Sequence, residues 1–460
     1  MNLAWFSPWP PQPSGIAGRS AELVAALAAR GHGVDVFVDD RARRLTRVPD
    51  EGPSSGAVRV QSAHDFVWRA ARGQYQRVVY QMGNSRLHEF MWPYLFQFPG
   101  ITVLHDARLH HARGRSLLLR DRDDDYRAEF SWNHPGVPAD LAELGVRGFD
   151  GPYYYQWPMV RAIVESSTLT LCHSRGAAAE LRDAYPQRAI DYLPLGEGPA
   201  DPGLSDVAGR FRSRHGLDPS HVIFGVHGAL TREKRVLPIL RAFAALRTRL
   251  NDCRLLLAGR PDPALELDRH LDELGCRDAV HLISDLDDAE FDAAIAASDV
   301  CLNLRWPTAL ETSGPWIRSL ALSRATVILD LAHQGHVPVL DPRTWRRHAP
   351  CEDLGDGAEA RAVAVAIDVL DEDHSLRIAM RELAGNPPLR QQLGRAARAY
   401  WEREHTVDRM VTEFERLATQ AQPAGPRPGL PPHLRPDPMA WARTLVTPLG
   451  IDLDRKTPNP

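Results

Sequence analysis

The sequence predicts an α/β protein built as two βαβ halves with a ligand crevice between them. Short apolar runs alternate with helix-like runs in both halves. A Pro- and Gly-dense stretch, Asp191-Tyr-Leu-Pro-Leu-Gly196 and the residues to Gly203, separates them. Polar loops rich in Gly, Ser, Thr and charge follow several apolar runs, where an open α/β sheet binds its ligands.

The first half opens with a strand at 3–6, a Pro-rich loop at 7–18, an Ala/Leu helix at 20–30 with a Gly31-His-Gly33 stop, and a strand at 34–38. Further strands are predicted at 59–61, 77–81, 102–105 and 169–173. Residues 112–160 interrupt the pattern with Asp121-Arg-Asp-Asp-Asp125 and Tyr153-Tyr-Tyr-Gln-Trp157. In the second half, strands are predicted at 222–227, 254–258, 280–283, 299–304 and 326–330. Helices are predicted at 237–250, 264–274, 288–298, 315–323, 360–386 and 388–420. The final 423–460 is Pro-rich and reads as an extended tail. The domain division that follows is 1–193, a linker at 194–215, 216–385, C-terminal helices at 386–422 able to cross back to the first half, and the tail.

With 460 residues, 43% of them hydrophobic and 25% charged, the chain can bury an ordinary core in each half. A formal net charge of −4 gives no support for a nucleic-acid partner. The five cysteines are scattered without a CxxC pair, which argues against a disulfide framework and favours a reducing compartment. The N-terminus reads as a first strand rather than a signal peptide, and no apolar run approaches the ~18–20 residues that span a bilayer. The expectation is a cytoplasmic protein, with peripheral contact at the inner membrane face left open.

Four loops carry chemistry. Arg305-Trp-Pro-Thr-Ala-Leu-Glu-Thr-Ser-Gly314 joins an apolar run to a helix start. The amides of Thr312, Ser313 and Gly314 suit a phosphate, and the Glu311 carboxylate suits sugar hydroxyls. A glutamate near a helix start is also an ordinary dipole partner. Gly228-Ala-Leu-Thr-Arg232-Glu-Lys234-Arg235 follows a strand, and its cations match the charge of a diphosphate. A solvated basic turn is the plainer alternative. Ser14-Gly15-Ile16-Ala17-Gly18 lets backbone approach a ligand, yet lacks the GxGxxG of a dinucleotide site. His105-Asp106 ends a strand, where a neutral imidazole can bond a hydroxyl, or where Asp106 merely caps the next helix. With His110 and His111 nearby a metal must be weighed, but their spacing fits no familiar metal motif. Asp121–Asp125 reads better as an acidic surface turn than as a metal cluster. The Tyr153–Trp157 run is a carbohydrate or lipid platform, or packing.

Together these residues resemble a GT-B glycosyltransferase of the large retaining family 4 type, over about residues 3–410. The matching segments are Gly15-Ile-Ala with Gly31-His-Gly-Val34, Tyr80-Gln-Met-Gly-Asn84 with His88, Leu104-His-Asp106, Leu171-Cys-His-Ser174, Leu193-Pro-Leu-Gly196, Gly228 to Arg235, and Arg305 to Gly314. The resemblance implies two Rossmann-like domains facing each other across a cleft, with C-terminal helices and a Pro-rich tail. It implies an EC 2.4 hexosyltransferase of the polysaccharide-biosynthesis kind, moving a sugar from a nucleoside-diphosphate sugar with retention. The acceptor would be a glycan, a lipid-linked glycan or a small molecule, and neither metal nor other cofactor would be needed.

Carried over by position, His105 and Glu311 would be the catalytic pair. Lys234, Arg232, Thr312, Ser313 and Gly314 would hold the donor diphosphate, and Gly15, Ile16 and Ala17 would form the acceptor-side loop. The family's usual Arg after the loop glycine is Ala229 here, and its second Glu falls at Arg318 or Ser319. Those departures keep alive a non-catalytic nucleotide-sugar-binding or partner-stabilising protein. An epimerase or hydrolase of the same fold is a separate alternative that would need a water-positioning acid or base.

Overall fold

The structure is a computed structural model that describes residues 1–12, 14–39, 56–149, 151–199, 203–348, 361–423 and 429–435, with 439, 446 and 449–451. Cys351 and most of the Pro-rich tail lie outside the described residues.

Two sheets form the frame. The first uses β1 (Asn2–Phe6), β2 (Gly33–Val38), β3 (Val58–Ser62), β4 (Arg77–Met82), β5 (Ile101–Leu104), β6 (Leu169–Cys172) and β7 (Ile190–Tyr192). Their order is β3-β2-β1-β4-β5-β6-β7, and every pair is parallel. The second uses β8 (Val222–His227), β9 (Cys253–Ala258), β10 (Val280–Ile283), β11 (Val300–Leu302), β12 (Ala325–Leu329), β13 (Val339–Leu340), β14 (Arg347–His348) and β15 (Ala364–Ile367). Its order is β10-β9-β8-β11-β12-β15-β13-β14, parallel except for β13 with β14.

Both sheets are apolar on both faces, as parallel sheets covered by helices must be. In β1, Leu3 and Trp5 face one core while Ala4 and Phe6 face the other. The first core is closed by helix Gly15–Ala29 and by helix Val407–Gln420, whose Phe414 ring lies 5.5 Å from Trp5. The last long helix therefore leaves the second half and finishes the first. In β8, Phe224 and Val226 face helices Val236–Arg247 and Glu372–Gly385, while Ile223 faces Asp288–Ala297.

Three sequence expectations change. The predicted helix at 360–386 is strand β15 followed by helix Glu372–Gly385. Ala-rich composition suggested a helix, but Val363, Val365 and Ile367 alternate with alanine, and β12 and β13 supply ladder partners on both sides. The predicted helix at 388–420 is two, Pro387–Glu404 and Val407–Gln420. They break at His405, whose Nδ1 meets the Leu195 carbonyl at 3.0 Å, and Thr406 caps the second. The start of the Pro- and Gly-dense junction, Asp191 and Tyr192, belongs to β7, paired with β6, and the predicted linker at 194–215 contains helix Leu204–Arg214.

Residues 112–160 are helical rather than irregular. Helices His110–Leu118, Asp123–Asn133, Leu141–Val146 and Tyr153–Gln156 share a core of Tyr126, Phe130 and Tyr153. The aromatic run is packing: Tyr153 and Tyr154 enclose the buried His110, whose Nε2 meets the Tyr126 hydroxyl at 2.8 Å. Asp123, Asp124 and Asp125 start a helix, where negative charge complements the dipole, and Asp125 pairs with Arg122 and His433.

Candidate functional site

Topology places the site. In the first sheet, chain connections leave β1 in one direction and β4 in the other. In the second, the same switch lies between β8 and β11. Ligands of open α/β sheets bind where strand order reverses. The segments leaving those four strands are 7–14, 83–90, 228–235 and 303–313. They carry Arg232, Lys234, Glu311, Thr312 and Ser313, while Gly15–Ala17 and Gly314 begin the helices that follow and His105 follows β5 next door.

Helix Gly15–Ala29 follows β1 and is capped by Ser14, whose Oγ accepts from the Ile16 amide at 3.2 Å. Gly15 is its first residue, exposed, with open space where a Cβ would project. Nothing in the fold demands a glycine there, so close approach by something else is the available reason. Ile16 lies over Gly83, while Ala17 is buried in the core and offers a ligand no side chain.

After β5, the His105 ring meets Gln81 Oε1 through Nε2 at 2.7 Å, and its amide donates to the Met82 carbonyl. With Nε2–H donating, Nδ1 is left as an acceptor. The His173 ring lies 4.7 Å away, tilted by 56°. Burial first, then the neighbouring His173 and His88, hold the His105 pKa well below its ordinary value, so the ring is neutral at physiological pH. Asp106 caps no helix; its carboxylate accepts from the Asn84 amide at 2.6 Å and fixes the turn after β4.

The loop after β8 turns at Gly228, with φ +84°. A Cβ there would lie 2.8 Å from Lys234 Nζ and 3.7 Å from Pro315. Gly228 thus lets the ammonium and the start of helix Gly314–Ala321 converge. Lys234 donates to the His227 carbonyl and has no carboxylate partner among the described residues. Burial, then the charge of Arg305, lowers its pKa to about 7. Arg232 is exposed; its carbonyl accepts from the Arg235 amide at 3.0 Å, and its side chain has no ion pair among the described residues. Arg235 is committed to Glu372 through two bonds of 2.7 and 2.5 Å, so the Arg232–Arg235 cluster does not act as one patch.

The loop after β11 is pinned on both sides. The Trp306 amide donates to the Glu233 carbonyl at 2.7 Å. The Ala107 amide donates to the Ala309 carbonyl at 2.8 Å, and the Thr312 hydroxyl to the His173 carbonyl at 2.6 Å. The last two cross from one half to the other. Glu311 Oε2 accepts from the Thr308 hydroxyl at 2.9 Å and the Ala309 amide at 2.7 Å, and Oε1 pairs with Arg305. Ser313 caps helix Gly314–Ala321 by accepting from the Trp316 amide. The amides of Thr312, Ser313 and Gly314 have no protein acceptor among the described residues. Neither this helix nor Gly15–Ala29 has an acidic residue in its first turn, so both positive dipole ends face the crevice uncompensated.

Sequence reasoning missed a charged strap beside these amides. Arg19, near Gly314, pairs with Glu197 of the segment between the halves. Glu197 also accepts from Arg318 at 2.6 Å, and Arg318 holds Asp292. Ser319 is fully buried and donates to the Pro315 carbonyl at 2.7 Å. Neither 318 nor 319 offers a carboxylate. Arg305 was also missed, although a cation at the carboxyl end of a strand was signal enough. Among the described residues no His, Cys, Asp or Glu groups of three or more gather into a metal-binding cluster, and no helix is long and apolar enough to cross a membrane.

No protein-family profile matches the chain, and no curated protein sequence does either. Solved structures do. WaaG, a glycosyltransferase involved in lipopolysaccharide biosynthesis, superposes with a TM-score of 0.57 at 16% identity, covering 92% of this chain and 100% of its own. Sucrose-phosphate synthase from Thermosynechococcus elongatus gives 0.59 at 15% identity, over 91% and 98%. HepE from Anabaena, solved with UDP and glucose, gives 0.57 at 12% identity, over 91% and 100%. At such identities the likeness establishes architecture: the chain has the two-domain GT-B fold of these glycosyltransferases.

Proposed function

We propose that this protein is a glycosyltransferase that takes a nucleoside-diphosphate sugar as donor. One observation carries the reading. Lys234, without a carboxylate partner, converges through Gly228 on a helix start with free amides and no acidic residue, and Glu311 sits in the same loop. An anion belongs beside the first two and a polyol beside the third. The similarity to enzymes solved with UDP, UDP-glucose or ADP supports that donor class.

In this reading Lys234 and the amides of Thr312 to Gly314 hold the diphosphate. As the bond from anomeric carbon to phosphate oxygen breaks, they stabilise the charge left on the diphosphate. The acceptor hydroxyl bonds to the anomeric carbon on the face the diphosphate leaves, and its proton passes to the departing phosphate oxygen. That course retains configuration and needs no carboxylate pair flanking the sugar. His105, neutral and with Nδ1 free to accept, orients a donor hydroxyl. Protein cations and amides supply the neutralisation, so we propose a metal-independent reaction. Gly15 brings the acceptor-side backbone to the diphosphate. The acceptor is a glycan, a lipid-linked glycan or a small molecule.

A second reading, binding without transfer, is favoured by Arg318 and Ser319. One is committed to Glu197 and Asp292 and the other is buried, so a ribose diol finds no carboxylate there.

Incubation with a panel of nucleoside-diphosphate sugars and saccharide acceptors separates the two. Transfer, with product configuration read by NMR, supports the first reading, and Glu311→Gln should lower the rate at least about ten-fold through lost charge-assisted bonds. Saturable binding of a sugar nucleotide without product supports the second.

A further inference from the structure

A diphosphate carries two or more negative charges, and Lys234 supplies one positive charge. Five other cations border the loops around it, and their partners sort them. Arg235 is held by Glu372, Arg318 by Asp292 and Glu197, and Arg19 by Glu197. Arg232 projects into solvent. Ala229, beside the loop glycine, offers no charge.

Arg305 differs from all of these. It opens the loop after β11 at the sheet's switch point, and its side chain is 40% exposed. Its loop is tied to the Lys234 loop by the Trp306–Glu233 bond. The same loop is tied to the first half by the Ala107–Ala309 bond. Its partner, Glu311, is the carboxylate read above as the sugar contact, already holding Thr308 and Ala309 on its other oxygen.

Resting on that donor-site reading, we propose that Arg305 is the second cation of the diphosphate site. Without donor it neutralises Glu311. With donor it turns to a phosphate oxygen, and Glu311 Oε1 is released to accept from a sugar hydroxyl. With Lys234 protonated, as diphosphate binding requires, Lys234, Arg305 and Glu311 together carry one net positive charge, which favours the exchange when an anion enters. A ligand with both diphosphate and sugar then satisfies both partners of the separated pair, whereas diphosphate alone leaves Glu311 without its cation.

Calorimetric titration of the full-length protein with inorganic pyrophosphate, UDP and ADP tests this. For each ligand that wild type binds, Arg305→Ala should weaken affinity roughly 10- to 100-fold, the scale of a lost charge-assisted bond. Arg305→Lys should retain an intermediate affinity, and Arg241→Ala, removing a half-exposed cation of helix Val236–Arg247 paired with Asp373, should stay within about two-fold. Glu311→Gln should tighten binding of the same sugar-free ligands several-fold, because the carboxylate no longer competes for Arg305. Thermal melts of each variant establish folding, and the opposite signs for Arg305→Ala and Glu311→Gln cannot both come from a loosened loop. Unchanged affinity in folded Arg305→Ala beside a loss in Lys234→Ala overturns this proposal alone, as does Glu311→Gln with no gain. If wild type binds none of the three, the donor-site reading falls and this proposal falls with it.

Discussion

At the scale of single residues, the site is organised by charges lacking their usual company. Lys234 is the clearest. Its ammonium has only a backbone carbonyl for a partner, and burial followed by Arg305 brings its pKa to about 7. A lysine lowered in this way disfavours its charged form in the folded state. Between about pH 7 and its unfolded value near 10.5, the unfolded chain binds the extra proton, so this group adds stability as pH rises through that window. Binding runs the other way, because a diphosphate needs the ammonium. We expect nucleoside diphosphate binding at pH 8 to take up close to one proton, read as a dependence of calorimetric heat on the ionisation enthalpy of the buffer. Lys234→Arg, charged at all these pH values, should remove that dependence. Uptake that persists in the arginine variant would assign the proton elsewhere.

At the scale of elements, glycines mark where loops and helices must meet. Gly228 combines a left-handed φ with the ammonium's approach, and Gly394 lets helix Pro387–Glu404 rest on the Ser323 carbonyl, 2.2 Å from where a Cβ would stand. Alanine at either position should cost about 1–3 kcal/mol in chemical denaturation, from strain at one and overpacking at the other. The two should then part company. Gly228→Ala should also displace Lys234 and weaken diphosphate binding, while Gly394→Ala, remote from the switch point, should leave it unchanged. Equal effects on binding would mean that Gly228 serves only the fold.

Elements also show how far the sequence could be read. Strands with β-branched or long apolar residues bounded by glycine and polar turns, such as β8 and β10, were legible to the residue. The alanine-rich β15 was not, because its strand state depends on neighbours distant in sequence. The loops bearing Lys234 and Glu311 announced themselves through glycine and charge beside a strand end. What those side chains touch was not legible: that Glu311 is bound by Arg305, or that Arg318 turns to Glu197, follows only from the meeting of segments more than a hundred residues apart, or from the folding of one loop on itself.

At the scale of the whole molecule, two parallel sheets turn their switch points toward each other, and direct bonds join the loops between them. Ala107 meets Ala309, His173 meets Thr312, and Ser174 meets His333. The Arg19–Glu197–Arg318 strap adds charge to that junction. Glu197 is 2% exposed and is shared by a cation from each half. Glu197→Gln leaves the part-buried Arg19 and Arg318 with only Glu22 and Asp292 as counter-charges, and we expect a loss of about 1.5–3 kcal/mol in denaturant unfolding, the scale of hydrogen bonds to charged groups. A loss below about 1 kcal/mol would show that the strap contributes no more than a surface pair. Helix Val407–Gln420, which starts in the second half and completes the core of the first, makes the two halves one structural unit.

The central claim is that a donor diphosphate lies where these switch points meet, on Lys234 and the start of helix Gly314–Ala321. Calorimetric titration of wild type and Lys234→Ala with a panel of nucleoside-diphosphate sugars addresses it most directly. We expect saturable binding of at least one member by wild type, weakened roughly ten-fold or more in the variant through loss of a charge-assisted contact. Binding of equal strength in the two proteins, or binding of no member by wild type, would contradict it.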